Sequence, residues 1–317
     1  MQTPSFWFRP SSWQATLLAP IGKLYAWGTA RRLSRGTPQK LPIPVICVGN
    51  INAGGTGKTP TVIYLLQHLV GQGHTPHVVT RGYGGSLVGP VQVVERQHSA
   101  SEAGDEPLLL SAFAPVWVSK NRLAGAQAAV NAGASHIILD DGFQDPSLHK
   151  DISLVVVDAK RGFGNQRCIP AGPLREPVTT GLARAEALVL IGEGPQPNTG
   201  KPLFHAMLEP LSTGMDWQDT RVLAFAGIGH PEKFFATLRS LGATLVHTEA
   251  LADHQPLSQP LMTRLLADAQ RHNARLVTTE KDAVRLPKAF RQEVLTLPVR
   301  LKLQNPEGLN ALLESHT

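Results

Sequence analysis

A glycine-rich turn, VGNINAGGTGKTP at 48–60, follows the short apolar run IPVICV and leads into an amphipathic stretch. In such a turn the backbone N–H groups wrap phosphate oxygens, a lysine reaches the β/γ oxygens of a nucleotide, and a Ser or Thr hydroxyl meets Mg²⁺. Gly57, Lys58 and Thr59 fit that pattern. Its first glycine position is taken by Asn52, and Gly54 and Gly55 supply the permissive backbone instead. The expected nucleotide loop is therefore Asn52, Ala53, Gly54, Gly55, Thr56, Gly57, Lys58 and Thr59. Kinases, motors and switches share loops of this kind, so the loop defines a class and no substrate. Partition-type switch ATPases carry a lysine just before their paired glycines. Ala53 stands there, which argues against a switch.

Four further stretches carry side chains suited to phosphoryl chemistry. HIILDDGFQ ends an apolar run in Asp140 and Asp141, where paired carboxylates could hold Mg²⁺ directly or through water; Asp141-Gly142 also reads as a plain turn. GDEP offers Asp105 and Glu106 at an expected helix start, where an acidic N-cap is common in any case. A kinase needs a carboxylate near its acceptor hydroxyl to take the proton, so some acid must fill that role. ADHQ sets Asp253 beside His254, by design or as a loop accident. TTEKD at 278–282 reads equally well as a capping box, with Thr279 at the cap and Asp282 three residues on.

These groups must be positioned by the elements around them. Strands are expected at IPVICVGN, HVVT, VWVS, HIILDD, ISLVVVD and ALVLIG, with helices at Thr59–Val70, Glu106–Ala112 and Arg122–Ala132. Near-continuous Val/Ile/Leu strands are buried on both faces, which predicts a P-loop NTPase-type parallel sheet with helices on both sides. The turn formers of EGPQPNTGKP suggest a linker. Beyond it RVLAFAGI, ATLVHT and ARLVTT predict a second, smaller α/β domain. The expected division is 1–40 for an N-terminal helical region, 41–200 for the nucleotide-binding domain and 201–317 for the smaller domain, whose tail is free to return to the first.

The charge of +6 is unevenly spread. Arg9, Lys23, Arg31, Arg32, Arg35 and Lys40 precede the loop, and no acidic residue occurs before Glu95. This leader also holds Phe6, Trp7, Phe8, Trp13, Tyr25 and Trp27. Most of its charges follow the apolar run rather than precede it, unlike a signal peptide. Nor does any stretch approach the roughly 20 apolar residues that span a bilayer. Leu17, Leu18, Ile21, Leu24 and Tyr25 recur at helical spacing between aromatics and cations, the composition of a helix lying on an anionic leaflet. An ordinary core-packed helix is the second reading. A nucleic-acid arm is disfavoured because charge is sparse over the rest of the chain. With 317 residues and 42% hydrophobic content the chain can bury a real core. Its two cysteines, Cys47 and Cys168, argue against a disulfide framework or zinc site and fit a reducing compartment.

Eight segments in order, VGNINAGGTGKTP, RGYGG, GDEP, DDGFQ, PAGPLREP, AFAGIGHPEKFF, DH and TTEKDAVR, resemble the tetraacyldisaccharide 4'-kinase (lipid A 4'-kinase) family of Gram-negative bacteria over nearly the whole chain. The non-glycine first loop position and Pro60 are part of that family's pattern. The resemblance implies transfer of the γ-phosphoryl group of ATP, with Mg²⁺, to the 4'-hydroxyl of a tetraacylated glucosamine disaccharide 1-phosphate. It places the enzyme peripherally on the cytoplasmic face of the inner membrane. It also implies Asp105 as catalytic base, His254 as its assistant and Lys58 as the phosphate clamp. Thr59, Asp140, Asp141 and Glu106 would serve the metal; Arg175, Arg81 and Arg122 would meet the substrate's anionic end. The acylated disaccharide and the anionic membrane surface are the expected partners, with no nucleic acid and no obligate protein partner. A membrane-recruited P-loop ATPase switch acting on a protein partner, and a soluble small-molecule kinase, are the alternatives. Three positions depart from the family: Asp145 and Gln255 replace usual histidines, and GFGNQRC replaces a more glycine-rich segment. No mechanism is implied for AFAGIG or TTEKDAVR.

Overall fold

A computed structural model describes residues 4–316. Residues 1–3 of the expected N-terminal region and residue 317 of the expected C-terminal domain lie outside the described residues. The strands are β1 (Val45–Gly49), β2 (Pro76–Thr80), β3 (Val91–Gln92), β4 (Val116–Val118), β5 (His136–Asp140), β6 (Ile152–Asp158), β7 (Ala187–Ile191) and β8 (Leu203–Pro210). They continue as β9 (Arg221–Ala226), β10 (Thr244–Ala250), β11 (Arg275–Thr279), β12 (Val294–Leu297) and β13 (Val299–Leu303). The larger sheet has the order β13-β8-β7-β6-β1-β5-β2-β4-β3, the smaller β10-β9-β11-β12. All pairs are parallel except the two at the edges of the larger sheet, β3 with β4 and β13 with β8. The helices are α1 (Trp13–Ser34), α2 (Lys58–Gly71), α3 (Ala100–Ala103), α4 (Asp105–Leu110), α5 (Arg122–Asn131) and α6 (Val178–Leu182). After them come α7 (Pro231–Ser240), α8 (Gln259–Arg271), α9 (Glu280–Ala283), α10 (Lys288–Arg291) and α11 (Glu307–Glu314).

The expected α/β architecture is present, and its cause is visible in the burial. Strands β1, β5, β6 and β7 are buried along their whole length, so their apolar runs need no polar alternation. Helix α2 covers one face with Val62, Leu65, Leu66 and Leu69, packed on Val48, Ile138 and Leu154. Helix α5 lays Ala126 and Ala129 on the other face, beside Val45, Ile137 and Leu139. In the smaller sheet Phe235 and Leu238 of α7 cover one side, and Met262 and Leu265 of α8 the other. At about 1.5–3 kcal/mol for each fully buried aliphatic side chain, these contacts hold the strand ends as fixed mounts for the loops.

The chain divides later than the composition of 193–202 suggests. That turn-rich stretch joins β7 to β8, which lie side by side in the larger sheet. The crossing to the smaller sheet comes after Pro210, and β13 returns to pair with β8. Half-exposed β8 carries no continuous apolar run, which is why turn formers ahead of it read as a boundary.

Helix α1 packs on the protein, as the core-packed reading expects, but through small residues. Ala15, Gly22 and Thr29, seven residues apart, form its buried face. A Cβ on Gly22 would lie 2.7 Å from the Cys168 carbonyl oxygen, so glycine permits the close approach. The opposite face exposes large apolar groups, with Trp13 72% and Leu17 70% exposed. No described helix is long and apolar enough to cross a membrane.

Candidate active site

Strand β1 lies between β5 and β6, and the sheet winds outward from it in both directions. The crevice at the C-terminal ends of such strands is where open α/β sheets bind ligands. Val48 and Asp140 are register partners there, so the start of the glycine-rich turn and the acidic pair stand side by side. Gly57 has φ +98° as the N-cap of α2, and a Cβ would meet the Ile191 side chain at 2.4 Å. Asn52, in contrast, bridges extended to Leu174 and donates from Nδ2 to the Gly162 carbonyl at 2.8 Å. A position with extended geometry needs no glycine, and the amide ties the loop to the 162 turn. PAGPLREP braces the same loop, since Ala53 N–H donates to the Pro173 carbonyl and Arg175 N–H to the Ile51 carbonyl, both at 2.7 Å.

Lys58 Nζ stands 3.5 Å from Asp141 Oδ1, and Arg175 Nη1 2.9 Å from the same oxygen. Burial acts to raise the Asp141 carboxyl, but Lys58, Arg175 and Arg122 outweigh it and hold the group below the usual carboxylate range. Asp140 behaves oppositely. Burial, then the nearby Glu106 and Asp141 charges, push it up to about 7. Its Oδ2 accepts from Thr80 Oγ1 at 3.3 Å, while its buried Oδ1 has no partner. Asp141 also adopts φ +51°, an uncommon backbone for a non-glycine residue. Strain at a site residue is consistent with selection for side-chain direction.

The donor set suits a hard cation that arrives with phosphates. Mg²⁺ is usually held by one or two carboxylates, waters and substrate oxygens. Among the described residues no group of three or more His, Cys, Asp or Glu could hold a metal unaided. The unpartnered Asp140 oxygen beside the loop is the atom such an ion would satisfy.

A second cluster forms where the two sheets' units meet. His254 Nδ1 lies 2.9 Å from Asp105 Oδ2, and Arg285 Nη1 donates to that oxygen at 3.4 Å. Lys281 Nζ reaches Glu106 Oε1 at 3.2 Å and His254 Nε2 at 3.3 Å. His254 sits at φ +59° in a turn fixed by its N–H to the Gly227 carbonyl and by Gln255 Oε1, which accepts from Ala252 N–H at 3.0 Å. Gln255 thus has a turn-locking role that requires no histidine. Asp145, the other departure, accepts from Arg122 Nη1 at 3.0 Å, and Arg122 Nη2 donates to the Asp141 carbonyl at 2.7 Å. Arg122 is buried and held by these partners.

A cleft of about 660 Å³ joins the parts: Arg81, Tyr83, Glu106, Arg122, Asp140, Asp141 and Arg175 line it with Tyr25, Thr29 and Arg32 of α1. Exposed Tyr83 in RGYGG meets the His254 ring edge-on, centroids 5.9 Å apart. The sequence alone assigns no site role to Lys281, Arg285 or Tyr83, and gives Asp282 only a possible capping role. Their only signal as site residues was membership of ordered segments, RGYGG and TTEKDAVR, whose partners lie far away in the chain.

The fold and site define a P-loop nucleotide-binding protein whose second α/β unit contributes His254 to the candidate site. A model of the tetraacyldisaccharide-1-P 4'-kinase family matches residues 14–317, so the chain belongs to that family. Tetraacyldisaccharide 4'-kinases of Dinoroseobacter shibae and Jannaschia sp. are each 58% identical to it, covering 99% of this chain and 97% and 98% of their own. A crystal structure of LpxK from Aquifex aeolicus in complex with ATP superposes with a TM-score of 0.77 at 29% identity, over 95% of this chain and 98% of that one. A kinase family leaves the membrane-recruited switch without support.

Proposed function

We propose that the protein is an ATP-dependent kinase that phosphorylates the 4'-hydroxyl of a tetraacylated glucosamine disaccharide 1-phosphate, working peripherally on the cytoplasmic face of the inner membrane. The observation that carries this reading is the cleft, which Tyr25, Thr29 and Arg32 of α1 line together with Asp140 and Asp141. It connects an apolar surface helix to phosphate chemistry, as a substrate anchored in a leaflet requires. An acyl chain gains about 0.8 kcal/mol per buried CH₂, so such an acceptor stays in the membrane and the enzyme comes to it.

Phosphoryl transfer asks the protein for alignment and charge neutralisation. The loop from Asn52 to Thr59 holds the nucleotide, and Lys58 draws on its β/γ oxygens. Thr59, Asp140, Asp141 and Glu106 would hold Mg²⁺, which would supply neutralising charge to the phosphates. Asp105 takes the proton of the acceptor hydroxyl, and His254 orients it from 2.9 Å. Arg175 and Arg81 offer cations to the substrate's anionic end, while Arg122 stiffens the wall between them. Because His254 belongs to the second unit, closure of the units assembles the base and excludes water. The test is incubation of the enzyme with radiolabelled magnesium ATP and detergent-solubilised acylated disaccharide, followed by chromatography of the lipids. Label is expected on the sugar; an unlabelled lipid fraction sinks the proposal.

A further inference from the structure

TTEKDAVR, for which motif spacing implied no mechanism, lies against Asp105, Glu106 and His254. Its fold is anchored at Asp282, fully buried, which takes hydrogen bonds from the Gly227 N–H at 3.1 Å and the Thr279 hydroxyl at 2.7 Å, and pairs with Arg285. Thr279 accepts in turn from Asp282 N–H, so the capping contact exists as well. With one turn thus fixed, α9 aims Lys281 and the following turn aims Arg285 across the boundary between the units.

We infer that Lys281 is a positioning residue for the Asp105–His254 pair: by donating to His254 Nε2 it selects the ring tautomer whose Nδ1–H donates to Asp105. The inference rests on the reading of Asp105 as the base. An ammonium carries three donors and no acceptor, so at 3.3 Å from Nζ the Nε2 atom must accept. Lys281 is charged. Its Nζ meets the Glu106 carboxylate at 3.2 Å, as an ammonium does. A neutral ring that accepts at Nε2 carries its proton on Nδ1, and that proton lies on the 2.9 Å line to Asp105 Oδ2. An imidazolium would instead aim Nε2–H at an ammonium.

The charged and titratable neighbours of the ring are few. Asp105 and Glu106 face it from α4, Lys281 from α9, Arg285 from the turn beyond, Tyr83 from its glycine-flanked loop and Asp253 from its own turn. Asp253 Oδ1, at 3.8 Å from Nε2, would favour a proton there but lies beyond hydrogen-bonding distance. The consequence falls on Asp105. His254 Nδ1–H and Arg285 both donate to Oδ2, which leaves Oδ1 for the acceptor hydroxyl. The other tautomer would turn an Nδ1 lone pair toward Oδ2, a contact tolerated only by a protonated carboxyl. A protonated Asp105 cannot take the hydroxyl's proton.

The test reads the tautomer directly. Protein labelled with ¹⁵N in its histidine rings is examined by two-bond ¹H–¹⁵N correlation without nucleotide, with His254→Gln identifying the His254 signals among the 12 histidines. Wild type is expected to show Nδ1 protonated and Nε2 bare. Lys281→Met should move the proton wholly or partly to Nε2 and lower kcat by roughly ten- to a hundredfold, less than the about 10²–10⁴-fold of losing a general base outright, with KM for ATP little changed. Lys281→Arg keeps a donor and should retain both the wild-type tautomer and most of kcat, which separates tautomer selection from loss of fold. An Nε2–H ring in wild type, or an unmoved tautomer in Lys281→Met, overturns the assignment. A moved tautomer with full kcat overturns its catalytic consequence. Wild-type enzyme that labels no lipid would instead defeat the kinase reading, leaving the ring measurement as it stands.

Discussion

Asp140 is the residue whose environment is most at odds with its charge. Burial and two neighbouring carboxylates raise it to about 7, while the unfolded chain leaves it near the ordinary value of about 4. Between those values the folded state binds more protons than the unfolded state, so this group makes stability fall as pH rises through the window. Asp140→Asn removes that dependence. In nucleotide-free protein with chelator, the variant's stability advantage over wild type should be small at pH 4, grow towards pH 7 and level off above it. Urea denaturation at pH 5 and pH 8 checks this, and a variant that keeps the wild-type slope refutes it. The costly carboxylate makes sense when a cation completes its shell. Much of this region was legible in sequence because its chemistry is local. One glycine turn behind an apolar strand implies the loop, and two acids ending another strand imply the metal side. Lys281 and Arg285 were not legible, since their partners Glu106 and Asp105 lie 175 and 180 residues away and only the fold joins them.

At the scale of elements, α1 reverses the usual arrangement of an amphipathic helix. Small residues at 15, 22 and 29 face the protein, and the large apolar ones face outward. Periodicity alone made interfacial and core-packed readings alternatives, because counting apolar residues cannot show that a stripe of Ala, Gly and Thr is the packed side. Trp7 and Ala15 also bind the 165–171 segment: Trp7 Nε1 donates to the Pro170 carbonyl and Arg167 to the Ala15 carbonyl, both at 3.0 Å. Removing the whole leader would therefore damage the core beside the loop as well as any membrane contact. Substitution on the outer face separates the two. Leu17 and Leu24, 70% and 65% exposed, can each become Glu with little change in folding stability, within about 0.5 kcal/mol per site. Each Leu withdrawn from a leaflet forfeits about 1.5–3 kcal/mol, so the double variant should bind anionic vesicles at least about a hundredfold more weakly. Co-sedimentation with vesicles measures it; an unchanged bound fraction would refute a membrane role for this face. The strands show the same limit of legibility. Fully buried β1, β5, β6 and β7 stand out as apolar runs, whereas β3, with two residues, and half-exposed β8 and β13 take their identity from their neighbours.

For the whole molecule the question is what holds the two units in the arrangement that brings His254 to Asp105. The chain crosses between them twice, and the crossings are pinned together where Leu211 N–H donates to the Pro298 carbonyl at 2.9 Å. Side-chain contacts then bridge the units at several places, Arg300 with Glu280 and Arg291 with Glu95 among them, and two sets can be compared. Lys233 Nζ meets Asp158 at 2.6 Å on one side, and Lys281 and Arg285 meet Glu106 and Asp105 on the other. Solvent decides their relative strength. Lys233 is 60% exposed, and Asp158 keeps the backbone N–H groups of Lys160 and Arg161 if the lysine is lost. An ion pair of that kind contributes about 0–1 kcal/mol. Arg285 is 6% exposed and lies between two buried carboxylates, Asp105 and Asp282. Taking away the shared cation leaves two buried carboxylates with only neutral donors, a loss on the order of 3–5 kcal/mol for a buried pair. Chemical denaturation should therefore find Lys233→Ala close to wild type and Arg285→Met strongly destabilised; equal effects would mean that the exposed side also fastens the units. If the asymmetry holds, contacts that fasten the second unit also shape the base, and opening the crevice for a new substrate dismantles the proton acceptor. Nucleotide bound in the open form would then meet no assembled base, which protects ATP from wasteful hydrolysis.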